Sequence, residues 1–204
     1  MLCCALASEE RVARRSGLPT ALLGLGAPRA LPEGRLVGFG VAGALVDGLA
    51  PGTLVSATRI VDRDGTVLWE GEPLAVAGAR PVVLCDVGRV VDDPSDRETV
   101  AARSGAQVVD RESGVLARSR RLAGVLRAVI DTPGERVGKL GEAATSDGRT
   151  DWRAVANALV TEPRLSLAVA LRARRAFAAL GDAASELERE LRAGGSPTGT
   201  GSIR

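Results

Sequence analysis

Short apolar runs and longer amphipathic stretches alternate along most of the chain. The apolar runs at residues 2–6, 20–23, 36–39, 53–61, 80–86, 107–109 and 125–130 are rich in Val, Leu, Ile and Ala and read as buried strands. Asp62-Arg63-Asp64-Gly65 is a tight turn, so 53–61 and 66–70 form a hairpin. Helical periodicity predicts a helix from Ser8 to about Arg15, with Ser8 as its N-cap. Further helices are predicted over 96–103 (short and exposed), through 115–123, and over 151–160 and 165–191, the last two separated by Glu162-Pro163. Residues 132–150 are polar and Gly-rich, the expected mobile loop over a site, and 194–204 read as a disordered tail. This alternation predicts an α/β fold around one central sheet. We expect one domain over 1–193, with C-terminal helices from about residue 151.

One stretch carries more chemistry than the rest. Residues 107–131 read as strand, carboxylate cluster, helix, strand, carboxylate: Asp110 and Glu112 follow one strand and Asp131 ends the next. A helical crossover would make the two strands parallel and put all of these acids on one sheet edge. In open α/β sheets the carboxyl edge is where ligands bind. Glu9 follows the first strand. It either stabilises a helix N-terminus or faces the same edge as Glu112 and Asp131. The strands 20–23 and 36–39 lead into Gly24-Leu25-Gly26 and Gly40-Val41-Ala42-Gly43. These are ordinary turns or places where backbone N–H groups approach a ligand.

Composition narrows the chemistry. The chain has 204 residues, 27 Lys and Arg against 25 Asp and Glu, and no histidine. The near balance of charge gives no pull toward nucleic acid. Without histidine, Ser-His-Asp and Cys-His catalysis and His-ligated metals are excluded, so acid–base chemistry falls to Asp and Glu. No metal and no cofactor is expected. Cys3, Cys4 and Cys85 have no metal-like spacing and read as buried thiols of a cytoplasmic protein. Residues 1–6 are too short for a signal peptide and no run is long enough to span a membrane. The helix containing Leu165, Leu167, Val169, Leu171 and Phe177 carries Arg172, Arg174 and Arg175. It either covers the core with solvated arginines or touches an anionic membrane surface.

Several segments together resemble the nucleoside phosphorylase/nucleosidase superfamily, which includes methylthioadenosine/S-adenosylhomocysteine nucleosidases. Ala5-Leu6-Ala7-Ser8-Glu9 looks like that family's first strand and its following glutamate. Residues 23–30 are similar to its Gly-x-Gly-Pro segment, Gly40-Val41-Ala42-Gly43-Ala44-Leu45 to its Gly-Ser-Ala-Gly-Gly-Leu segment, and 51–55 to its Pro-Gly-Asp strand start. Val109-Asp110-Arg111-Glu112-Ser113 resembles the Val-Asp/Glu-Met-Glu-Ser/Ala motif, and Arg127-Ala128-Val129-Ile130-Asp131 resembles Arg-Ala-Ile-Ser-Asp. Within the superfamily, residues 39–45 and Asp147-Gly148-Arg149 with the helices after it are similar to the hopanoid-associated phosphorylases, also described as adenosylhopane nucleosidases.

The resemblance implies a three-layer domain with a mixed, mostly parallel twisted sheet flanked by helices. It implies cleavage of the N-glycosidic bond of a purine nucleoside, here release of adenine from adenosylhopane or from methylthioadenosine, and a homo-oligomer. A catalytically impaired nucleoside-binding homologue is the remaining alternative. By the resemblance Asp131 is the general acid at the purine and Glu9 orients or deprotonates the nucleophile. Glu112 binds the ribose hydroxyls. Gly26, Phe39, Gly40, Val41, Ala42 and Gly43 line the substrate, and residues 85–90 form the purine wall. Arg111 stands where the family has Met, and is a candidate ligand for phosphate as co-substrate. Ile130 stands where Ser or Thr often supports the acid, Val41 where phosphorylases place Ser, and 30–35 is short for the family's helix.

Overall fold

The computed structural model describes residues 1–193, so the tail expected over 194–204 lies outside the described residues. The chain runs β1 (Leu2–Cys4), α1 (Ala7–Ala13), β2 (Thr20–Leu22), β3 (Leu36–Ala44), β4 (Leu54–Val61), β5 (Val67–Glu70), β6 (Arg80–Asp86) and α2 (Pro94–Ser104). It continues with β7 (Val108–Asp110), α3 (Ser113–Arg118), β8 (Leu122–Asp131), α4 (Trp152–Thr161) and α5 (Pro163–Ala193). All eight strands join one mixed sheet, ordered β2-β1-β3-β7-β6-β4-β5. The pairs β1/β2, β1/β3, β3/β8, β4/β6 and β6/β7 are parallel, and β3/β7, β4/β5 and β4/β8 antiparallel. This is the expected α/β architecture with a mostly parallel sheet.

Because β8 pairs with both β3 and β4, strands 3, 7, 6, 4 and 8 close into a ring. One apolar layer lies against that ring through Leu36, Ala42, Ile60, Leu84, Val108 and Val125. A second, with Leu2, Phe39, Leu126, Ala128, Ala176, Leu180 and Leu187, is covered by α5.

The parallel β7–α3–β8 crossover is corrected. Both strands flank β3, but β7 runs antiparallel to it and β8 parallel. The helix expected to reach Ala123 stops at Arg118, Arg120 turns the chain in the left-handed region (φ 57°), and Leu122 already belongs to β8. So short a link turns the chain back rather than carrying it over. The acids still converge, because Gly43 of β3 pairs with Val109 on one side and Asp131 on the other.

Smaller corrections follow. Helix α1 opens at Ala7, so Ser8 lies inside it and is not its cap. The run 36–39 extends to Ala44, which puts Gly40 to Gly43 inside a strand rather than after one. α2 is not wholly exposed, since Arg97 and Val100 are buried. The loop after β8 is stitched to the sheet edge: Ala7 donates its N–H to the Gly148 carbonyl (2.8 Å) and Leu25 to that of Ser146 (3.0 Å). Cys3, Cys4 and Cys85 are free and buried. Among the described residues, no helix is long and apolar enough to cross a membrane.

Candidate active site

A cavity of about 170 Å³ lies where β1, β3, β7 and β8 end. Glu9, Asp110, Arg111, Glu112 and Asp131 line it, with Val41, Ala42 and Gly43 of β3 as one wall and Val90, Val91, Val137 and Gly141 as another. Acids from three separate parts of the sequence thus meet in one space.

Glu9 is 2% exposed. Its Oε2 accepts from the N–H groups of Ala5 (2.9 Å) and Leu6 (3.0 Å), and its Oε1 from the N–H of Val41 (2.8 Å). Sitting in the first turn of α1, it satisfies N–H groups at the helix entrance and faces the cavity at once. Burial raises its pKa, while Arg127 and the three N–H donors oppose the rise. One acceptor position on Oε1 stays open toward the cavity, since a carboxylate oxygen accepts about two hydrogen bonds.

The glycines of β3 have a use that the sequence did not disclose. A Cβ on Gly40 would stand 2.3 Å from Glu9 Oε1, and one on Gly43 would stand 2.9 Å from Asp131 Oδ1. Positions three apart on a regular strand face opposite ways. The register shift between Ala42 and Gly43 lets both glycines seat an acid of the same cavity. Gly40 therefore makes room for a carboxylate and does not line the cavity. Gly26 also stands behind an acid: its N–H donates to Glu112 Oε1 (3.0 Å), while neighbouring Leu25 lines the space. Phe39, expected to touch substrate, is fully buried in the layer under α5. Of the expected purine wall, Arg89 and Val90 line the cavity, joined by Val91 just beyond it, whereas Cys85 is packed in a core cluster.

Glu112 is 7% exposed, and its pKa is pushed up to about 7, first by burial and then by the Asp110 carboxylate. Arg127 and the Gly26 N–H pull it back. Asp110 is itself saturated. Arg127 reaches its Oδ2 through Nε (2.9 Å) and Nη2 (2.6 Å), and Ser113 donates to it through both Oγ (2.5 Å) and N–H (3.2 Å). Held in this way, the Asp110 carboxylate raises the pKa of its neighbour Glu112.

Asp131 is 4% exposed, and burial raises its pKa. Arg97 Nη1 opposes that rise from 2.5 Å, while donating also to the carbonyls of Ala44 (3.3 Å) and Thr132 (2.9 Å). Arg97 takes the supporting place that Ile130 cannot fill.

Arg97 and Arg127 went unassigned in the sequence. Arg127 left a signal, a cation inside the apolar run Val125–Ile130, which burial permits only with a partner. Arg97 left none, because α2 is polar on most of its surface. Arg111 lines the cavity, and its Nε is buried without a hydrogen-bond partner.

The fold has well-defined counterparts. The 5′-methylthioadenosine/S-adenosylhomocysteine nucleosidase of Neisseria meningitidis, solved with methylthio-immucillin-A, superposes with a TM-score of 0.61 at 14% identity over 94% of this chain and 97% of that one. The Helicobacter pylori nucleosidase, solved with butyl-thio-DADMe-Immucillin-A, gives 0.59 at 13% over 94% and 97%. The futalosine hydrolase of Helicobacter pylori gives 0.54 at 13% over 94% of each chain. The chain therefore has the nucleosidase fold. No protein-family model matches the sequence, and no curated protein does.

Proposed function

We propose that this protein cleaves the N-glycosidic bond of an adenine nucleoside. The observation that carries the reading is the meeting of Glu9, Glu112 and Asp131 in one cavity of a nucleosidase fold. As the bond to the purine breaks, the sugar gains oxocarbenium character and the base gathers negative charge. Asp131, whose pKa burial raises against the Arg97 ion pair, is the acid that gives its proton to the purine ring nitrogen. Water adds to the anomeric carbon while Glu9, locked by three backbone donors, takes its proton. Glu112, once ionised, accepts from the ribose hydroxyls. Adenine leaves neutral and the sugar departs with a hydroxyl at the anomeric carbon.

The particular substrate we assign is adenosylhopane. Its support is the sequence resemblance of residues 39–45 and of the C-terminal segments from Asp147 onward. Methylthioadenosine is the second reading, favoured by the likeness to nucleosidases that carry its name. Arg111 marks the nucleophile as the open variable: a cation on the cavity wall suits phosphate as well as it suits solvent. Purified protein incubated with each nucleoside, with and without phosphate, tests all three points when free adenine is measured by chromatography. Adenine from adenosylhopane supports the first assignment, adenine from methylthioadenosine alone replaces it with the second, and no adenine from either overturns the activity. Release that requires phosphate makes the enzyme a phosphorylase.

A further inference from the structure

Most of the large exposed apolar side chains lie on α4 and the first turns of α5. Trp152 is 75% exposed, Leu159 51%, Val160 82%, Leu167 62% and Leu171 51%. α5 already has an inward face, through Val169, Ala176 and Leu180. Leu167 and Leu171 are a second apolar face that the domain does not cover. A helix apolar on both sides needs a partner on each.

The charge around this surface selects the partner. Arg153, Arg164, Arg174 and Arg175 are exposed and make no ion pair among the described residues. Glu162 is the one acid between Trp152 and Gly181, and it is turned inward onto the Lys139 N–H (3.1 Å). In a two-fold dimer the face would meet its own copy and bring these arginines together. Exposed tryptophan and leucines set among unpaired arginines instead match the boundary of an anionic bilayer. A second cavity, of about 460 Å³, shares Val90 and Gly141 with the candidate active site and reaches Glu162 and Leu165 at the α4–α5 corner. Asp92, Arg136 and Lys139 make up much of the rest of its lining.

We propose that the outer face of α4 and the start of α5 docks on an anionic lipid bilayer. Docking stands on this surface alone. Only its use, bringing the site to a lipid-borne nucleoside, rests on the proposed activity.

Flotation of the full chain with vesicles tests it, using phosphatidylcholine alone and phosphatidylcholine mixed with phosphatidylglycerol. The expected result is binding to the mixed vesicles only, with Trp152 emission moving to shorter wavelength and binding lost as salt rises. Arg174→Gln/Arg175→Gln should weaken it about thirtyfold, the scale of two surface cations. Trp152→Gln/Leu159→Gln should abolish it, with the far-ultraviolet dichroism of the wild type confirming the fold. Equal binding to neutral vesicles, no binding to either, or wild-type binding by the apolar double variant would each overturn the proposal. So would a wild-type dimer that ignores vesicles and dissociates in Trp152→Gln/Leu159→Gln, which would make the face a contact between copies. Adenine release from soluble methylthioadenosine reads the catalytic site separately and does not move with docking.

Discussion

In the proposed reaction Glu112 has to ionise to hold the ribose hydroxyls, and burial and the neighbouring Asp110 carboxylate hold it back. Its pKa is about 7 in the fold against an ordinary 4.5, so the native state binds more protons than the unfolded chain between those values. Stability from this group is therefore present at low pH and falls as pH rises through that window. Glu112→Gln should flatten the fall, measured as Tm against pH. In turnover the sign reverses: kcat/KM should rise as Glu112 ionises near pH 7, and Glu112→Gln should remove that limb along with most of the ribose binding. Asp131→Asn should cost about 10²–10⁴ in kcat, the usual worth of a positioned acid, and should lower Tm as well, because the buried Arg97 loses its carboxylate. Gly40→Ala drives a methyl into the Glu9 carboxylate. It should cost about 10²-fold in kcat, the lower end of what a misplaced base is worth, with a fall in Tm, because a displaced Glu9 leaves the N–H groups of Ala5, Leu6 and Val41 without their acceptor. The three acids were legible because a chain without histidine leaves few alternatives and because each follows an apolar run. The reason for Gly40 and Gly43 was not legible, since it lies in the approach of α1 and β8 to β3.

Element by element, the sequence showed where strands and helices lie better than which way they run. The hairpin β4–β5, strand β6 and the break at Glu162-Pro163 sit where turn chemistry puts them. The direction of β7 against β8 was misread, because Leu122 and Ala123 suit a helix face as well as a strand start and only pairing with β3 decides between them. Arg127, 2% exposed on β8, crosses to Asp110 on β7 and ties these opposed strands beneath the cavity. Removing one partner of such a buried pair leaves a bare charge, so Arg127→Met should cost about 3–5 kcal/mol in urea unfolding. It should also raise the pKa of Glu112 further, because Arg127 is the principal cation drawing that group down.

For the whole molecule, the closed ring of strands sets the order in which the site comes apart. Strand β8 pairs with β3 from Leu36 to Gly43 and with β4 from Leu54 to Ser56, and Val125, Leu126, Ala128 and Val129 are fully buried. Glu112 stands between the three residues of β7 and the six of α3. Amide protons on β8 should exchange with deuterium only through global unfolding, while those of residues 111–118 exchange through local opening. Asp131 should thus ride on a slowly exchanging strand and Glu112 on a far faster segment. In the time domain the cavity is then asymmetric: the Glu112 wall should open and rebuild many times while Asp131 keeps its place.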